Sequence, residues 1–123
     1  MAMTYTTAAR NAVMDFFDTM LDGGTIELQT AAHAEVATLT FGATAFAAAD
    51  TGVAVAEAIS PDTNAAGGII DHAHYIASDT TELAALTCTV NGGDGDLTFS
   101  NLTIGASDTV GCNSLTHTQA ASV

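Results

Sequence analysis

The hydrophobic period of the chain changes at Gly23-Gly24, and that break constrains the fold more than any other feature. Before it, Ala9, Ala12, Val13, Phe16, Phe17, Met20 and Leu21 repeat the three-then-four spacing of one helical face. Thr6 or Thr7 can cap the start, and the glycine pair stands where a left-handed residue commonly ends a helix. Asp15, Asp18 and Asp22 lie off the apolar stripe, so the spacing predicts that they face water. The two adjacent phenylalanines need something to bury against.

Beyond Gly24 short alternating runs take over, separated by turn residues. Ile26 and Leu28 alternate with Thr25, Glu27 and Gln29, and Ala37, Leu39 and Phe41 with Thr38 and Thr40. Val53, Val55 and Ile59 share one phase, opposite the small residues Ala54, Ala56 and Ala58. Leu86, Cys88 and Val90 alternate with Thr87 and Thr89. Leu97 and Phe99 are out of register with Leu102 and Ile104, which predicts a bend near Ser100–Asn101. A like slip near Asn113 separates Val110 and Cys112 from Leu115. The expected fold is mainly β: an N-terminal amphipathic α-helix followed by an antiparallel β-sandwich or small barrel. One domain of 123 residues divides into an arm and helix over 1–23, a sandwich over 24–118 and a tail at 119–123.

Composition narrows the function. Hydrophobic residues make up 48% and aromatics 6%, with no Trp, so the core must rest on Ala, Val, Leu and Ile. Arg10 is the one basic residue against 14 acidic ones, a formal net charge of −13. Such a chain lacks the cations that neutralise phosphates, which argues against nucleic acid and anionic membranes as partners. It suits a salty medium or a basic partner surface. No run approaches the roughly 20 apolar residues of a membrane helix, and Met1–Asn11 lacks the basic-then-apolar order of a secretory signal. Cys88 and Cys112 are too few for a disulfide scaffold and read as thiols of a protein made in a reducing cytoplasm. A single bridge between them stays open if their strands pair in register.

Two motifs carry potential chemistry. On a strand, His72 and His74 of Asp71-His72-Ala73-His74 point to one side, as metal-binding pairs do. The sequence marks no third or fourth ligand: His33 and His117 are distant and unpatterned. Ile70 and Ile76 share that face, which favours a partly buried or interface-facing strand. Asn91-Gly92-Gly93-Asp94-Gly95-Asp96-Leu97 is similar to the calcium-binding nonapeptide of parallel β-rolls, with Asp94 and Asp96 as candidate ligands. That motif wants Asp where Leu97 stands and recurs in tandem, so a hairpin loop between Val90 and Leu97 is the expected reading. Ser60-Pro61-Asp62 is a turn signal, and phosphate-binding and dinucleotide fingerprints are missing. The expectation is no enzyme activity and no cofactor or metal.

The order of segments resembles a family of small tailed-phage virion structural proteins encoded near the major capsid gene. The matching pieces are Thr4 to Ala12 with its Ala-Arg-Asn, Gly23 to Leu28, Ala37 to Phe41, Ala45 to Ala49, Ala58 to Thr63, Gly95 to Ile104 and Ser107 to Thr118. Each piece is short, and their shared order carries the resemblance. It departs at Asp71-His72-Ala73-His74-Tyr75, where relatives tend to have an aromatic and a basic residue. The resemblance implies a capsid decoration (cement) protein, made in the host cytoplasm and carried on the capsid surface of the virion. Its partners would be the major capsid protein and itself, as a homotrimer over local three-fold positions. Phe16, Phe17, Asp62, Asn64, His74 and Tyr75 are the candidate partner-binding residues. The alternatives are a tail or neck component, and a calcium-binding surface or secreted β module using Gly92 to Asp96.

Overall fold

The computed structural model of the chain describes residues 4–118; the first three residues and the expected tail at 119–123 lie outside the described residues. Helix α1 (Thr7–Thr19) starts at Thr6, whose hydroxyl accepts the Ala9 N–H at 3.2 Å. Ten short strands follow: β1 (Thr25–Gln29), β2 (Glu35–Phe41), β3 (Val53–Val55), β4 (Ile59–Ser60), β5 (Gly68–Ile69), β6 (His72–Ile76), β7 (Glu82–Val90), β8 (Leu97–Phe99), β9 (Thr103–Ile104) and β10 (Thr116–Thr118). The fold is mainly β, one N-terminal helix leading into a curled sheet, as the change of period predicts. Gly23 adopts φ +69 just beyond the helix, where side chains other than Gly are disfavoured.

One six-stranded sheet, in the order β4-β2-β1-β6-β7-β8, frames the molecule, and the ladders β3–β10 and β5–β9 lie outside it. Its register stacks side chains in rows across the strands. Ala37, Leu28, Ala73 and Leu86 form one inward row, and Leu39, Ile26, Tyr75 and Ala84 the next. The opposite face carries the alternate residues: Thr38, Glu27, His74 and Ala85, then Gln29, His72 and Thr87. Between Leu28 and Gln29 the register slips by one residue, and the extra residue of β2, Val36, turns into the core. Ala54, Ala65, Val110 and Leu115 from outside the sheet close over the inner face, with Leu21 at the helix end. Two of those five are alanines, which lets backbones approach closely where the chain has few large aromatics.

The small face of the strand at Val53–Val55 is the inward one: Ala54 is fully buried and Val55 lies half in water. Two expectations are corrected. The predicted hairpin between Val90 and Leu97 is not a hairpin, since β8 runs parallel to β7 with Cys88 opposite Leu97. The loop can reverse twice in so short a span because Asp96 anchors it. Its Oδ2 accepts both the Thr87 N–H (2.9 Å) and the Thr87 hydroxyl (3.1 Å), and its N–H donates to that hydroxyl oxygen. The helix is also rotated relative to expectation, as described below. The bend at Ser100–Asn101 is present, dividing β8 from β9.

Gly24 shows how tight the helix-to-sheet junction is. Its N–H donates to Leu21 and its carbonyl accepts the Phe41 N–H, while a methyl group on its Cα would collide with the carbonyl oxygen of Ile76. Overpacking of this kind costs about 1–3 kcal/mol. G24A is therefore expected to lower the unfolding free energy by that amount, read as a lower urea midpoint at unchanged slope. G42A, where the nearest atom would be 3.7 Å away, should stay within about 0.5 kcal/mol of the parent; equal midpoints for the two variants would contradict the packing described.

Candidate functional site

Helix α1 docks through its polar edge. Asn11 Oδ1 accepts the Gly52 N–H (2.8 Å), Asp15 Oδ1 the Ala49 N–H (2.7 Å) and Asp22 Oδ1 the Ala45 N–H (2.8 Å). Arg10, the sole basic residue, donates to the Thr51 carbonyl and the Thr7 hydroxyl rather than to a carboxylate. Asp15 and Asp22, expected in water, thus clasp segment 45–52 together with Asn11, while Asp18, also expected in water, is buried against His117. The rotation that brings them inward pushes part of the apolar stripe outward. Val13 is 42% exposed, Phe16 73% and Met20 41%. These three lie at successive turns and form an apolar ridge on an otherwise acidic molecule.

Phe17 points the other way, into a cluster of rings with Phe41, Phe46, Tyr75 and His117. His117 is at its centre. With its proton on Nδ1 the ring donates to Asp18 Oδ1 (2.6 Å), its Nε2 accepts the Tyr75 hydroxyl (2.7 Å), and its face stacks on Phe46 at 4.2 Å between centroids. The order Asp–His–hydroxyl resembles a nucleophilic relay, but the chemistry differs. Burial first, and then the Asp18 charge, push the Tyr75 hydroxyl well above the ordinary tyrosine value, so it stays a neutral donor. The three residues tie helix, sheet and β10 together.

The remaining sequence candidates are dispersed. Tyr75 is buried and satisfied, which corrects its assignment to a partner surface: it sits in an inward row of the sheet. Phe17 is half-buried in the ring cluster and is corrected likewise. Asp62 spends both carboxylate oxygens on the Thr38 and Asn64 N–H groups, each at 2.9 Å, which holds its pKa below the ordinary carboxylate value. Asn64 is exposed beside it. Asp94 is exposed and Asp96 is engaged by Thr87, so the two do not converge. Cys88 and Cys112 are both free thiols, the first pushed up to about 11 and the second raised, in each case chiefly by burial. An open cleft of about 550 Å³ between the sheet and the crossing segments is lined by Ile26, Leu39, Phe99 and Leu115, with Asp96 and Cys112 at its wall.

His72 and His74 share the outer face of β6, as alternation predicts, and His33 joins them from the β1–β2 turn. Sequence reading missed that meeting because His33 stands 39 positions before His72; the signal available was that a short loop after β1 must end near β6 if those strands pair. Comparison with protein-family models, with curated proteins and with solved structures returned no match.

Asp18 gives this region a pH dependence. Burial raises its carboxyl above 3.8, aided by Asp15 and Asp22 and opposed by His117, and its Oδ2 lacks a partner among the described residues. The folded state thus holds this proton more tightly than the unfolded chain. The contribution to stability is full when the carboxyl is protonated and declines as pH climbs above 3.8 through the folded value. D18N keeps an oxygen for His117 without the charge, so its stability relative to the parent should grow as pH rises from about 4 to about 7. Urea midpoints across that range check it, and a constant difference would contradict a raised carboxyl.

Proposed function

We propose that this chain is a non-enzymatic capsid decoration protein of a tailed phage. It docks on the major capsid protein, as a homotrimer, and stabilises the mature shell. The observation that carries this reading is the ridge of Val13, Phe16 and Met20 on a chain of net charge −13. Covering a large apolar side chain is worth about 1.5–3 kcal/mol, and the ridge stands ready for a partner. Complementarity requires that partner to offer an apolar socket with basic residues around it. The order of segments, similar to phage virion proteins across most of the chain, points to the capsid shell as that partner.

The acidity supports the outer surface rather than the inner one, because packaged DNA repels such a chain. Identical subunits around a three-fold axis would each present one ridge, and three modest contacts add to a firm one. Stabilisation then follows by linkage: a protein that binds the mature shell and not its disrupted form raises the energy needed to break it.

Mass photometry of the protein, alone and mixed with shells lacking it, tests this directly. Trimers that load and raise the temperature of DNA release are the expected result. F16S removes an exposed ring, so its own melting temperature should hold while loading weakens by about 10- to 100-fold. Hexameric rings that ignore shells would assign the protein to the tail instead. Shells equally heat-resistant with and without it would refute the proposal.

A further inference from the structure

We propose that His33, His72 and His74 form a binding site for a borderline-soft divalent transition metal, Zn²⁺ being the representative ion. The site does not depend on the decoration role. Each residue offers one ligand atom, and these atoms lie within 4.8 Å of one another. The rings meet edge-to-face, with centroids 4.9 Å apart for His33–His72 and 5.0 Å for His72–His74.

Paired strands and a hydrogen-bonded turn carry them. Strand β6 places both of its histidines on the outer face, and the register sets Gln29 opposite His72 and Glu27 opposite His74. His33 completes the set from a turn closed by its own N–H donating to Thr30 (2.9 Å) and by Thr30 N–H donating to Ala34 (2.9 Å). It holds φ +66, a left-handed conformation that few non-glycine residues adopt, and that backbone directs the ring toward the pair.

The surrounding polar groups match what metal-bound histidines use. Asp71 Oδ2 lies 2.9 Å from His72 Nδ1, the carboxylate contact that fixes ring orientation and leaves Nε2 for an ion. His74 Nδ1 lies 2.8 Å from Glu82 Oε1 but without hydrogen-bond alignment, so this nitrogen has no aligned partner among the described residues. Gln29 Oε1 stands between the rings, 3.0 Å from His72 Nε2 and 3.4 Å from His33 Nδ1. Glu27 holds that amide in place by accepting from Gln29 Nε2 at 2.9 Å. The amide oxygen, or a water in its place, is the natural fourth ligand.

Metal–nitrogen bonds of about 2.0–2.1 Å in a tetrahedron set ligand atoms roughly 3.3 Å apart. Closing from 4.8 Å therefore takes at most roughly 1.5 Å of ring movement, and His33 sits on an exposed turn that can supply it. Imidazole donors select zinc, copper or nickel, whereas calcium and magnesium demand oxygen. The chain's net charge of −13 raises the local concentration of any cation. Bound there, the ion would staple the β1–β2 turn to β6.

The test uses the full chain without a His tag, stripped by chelator and then freed of it, titrated with Zn²⁺ in a calorimeter. The expected result is one ion per chain and a melting temperature that rises with Zn²⁺, falls back with chelator, and ignores Ca²⁺. H33N keeps a residue that tolerates the left-handed turn and removes the imidazole. It should bind at least about 10-fold more weakly, with an unchanged melting temperature in the absence of metal. D71N should weaken binding by about 10-fold or more through ring orientation, and D94N should leave it unchanged. Saturation absent below about 100 μM Zn²⁺, or binding indifferent to H33N, would overturn the proposal.

Discussion

The molecule is organised around the ring of His117. It bonds to Asp18 across 99 residues of sequence and to Tyr75 across 42. A buried carboxylate is costly to desolvate, and it is tolerated here because an imidazole N–H meets it and a phenol closes the other side of that ring. The aromatic neighbours Phe17, Phe41 and Phe46 surround the polar contacts and keep water from competing for them. This cluster and the hydrogen bonds of Asn11, Asp15 and Asp22 together decide how the helix sits. The helix is oriented by hydrogen bonds, and its apolar residues divide between core and solvent accordingly.

That division explains what the sequence made legible and what it did not. The limits of α1 could be read from Thr6 and Gly23, the faces of β1 and of β2 from Ala37 to Phe41 from alternation, and the shared side of His72 and His74 likewise, because local geometry alone sets them. The facing of the helix could not. Apolar spacing names the stripe that is usually buried, whereas the N–H groups of Ala45, Ala49 and Gly52 needed acceptors, and that need is invisible in one dimension. The parallel return into β8 was hidden for the same reason. Gly92 to Asp96 has the composition of a hairpin turn, and only the tertiary bond from Asp96 to Thr87 reverses the chain a second time.

A general lesson concerns acidic residues in a chain with a single Arg and no Lys. With no cations to pair them, carboxylates serve as acceptors for backbone N–H groups. Asp62 accepts the Thr38 N–H in the middle of β2, Asp79 closes the turn before β7 through Thr81, and Asp108 accepts from Gly105. Asp15 and Asp22 do the same at the helix. Much of the apparent excess of surface charge is therefore structural cross-bracing, and the polarity of a residue was a poor guide to its place. The three outer-face histidines lie among such groups, which is why the pattern His-Ala-His alone undervalued them.

The strands at the two ends of the sheet have a further consequence. β4 is two residues long and runs into Pro61, and β8 is three residues long and ends in a bend. Along β4 and β8 themselves a neighbouring backbone would find only short runs of unpaired amides on which to lengthen the sheet. Crowded copies of this protein are thereby protected from fibrous accretion through those rims.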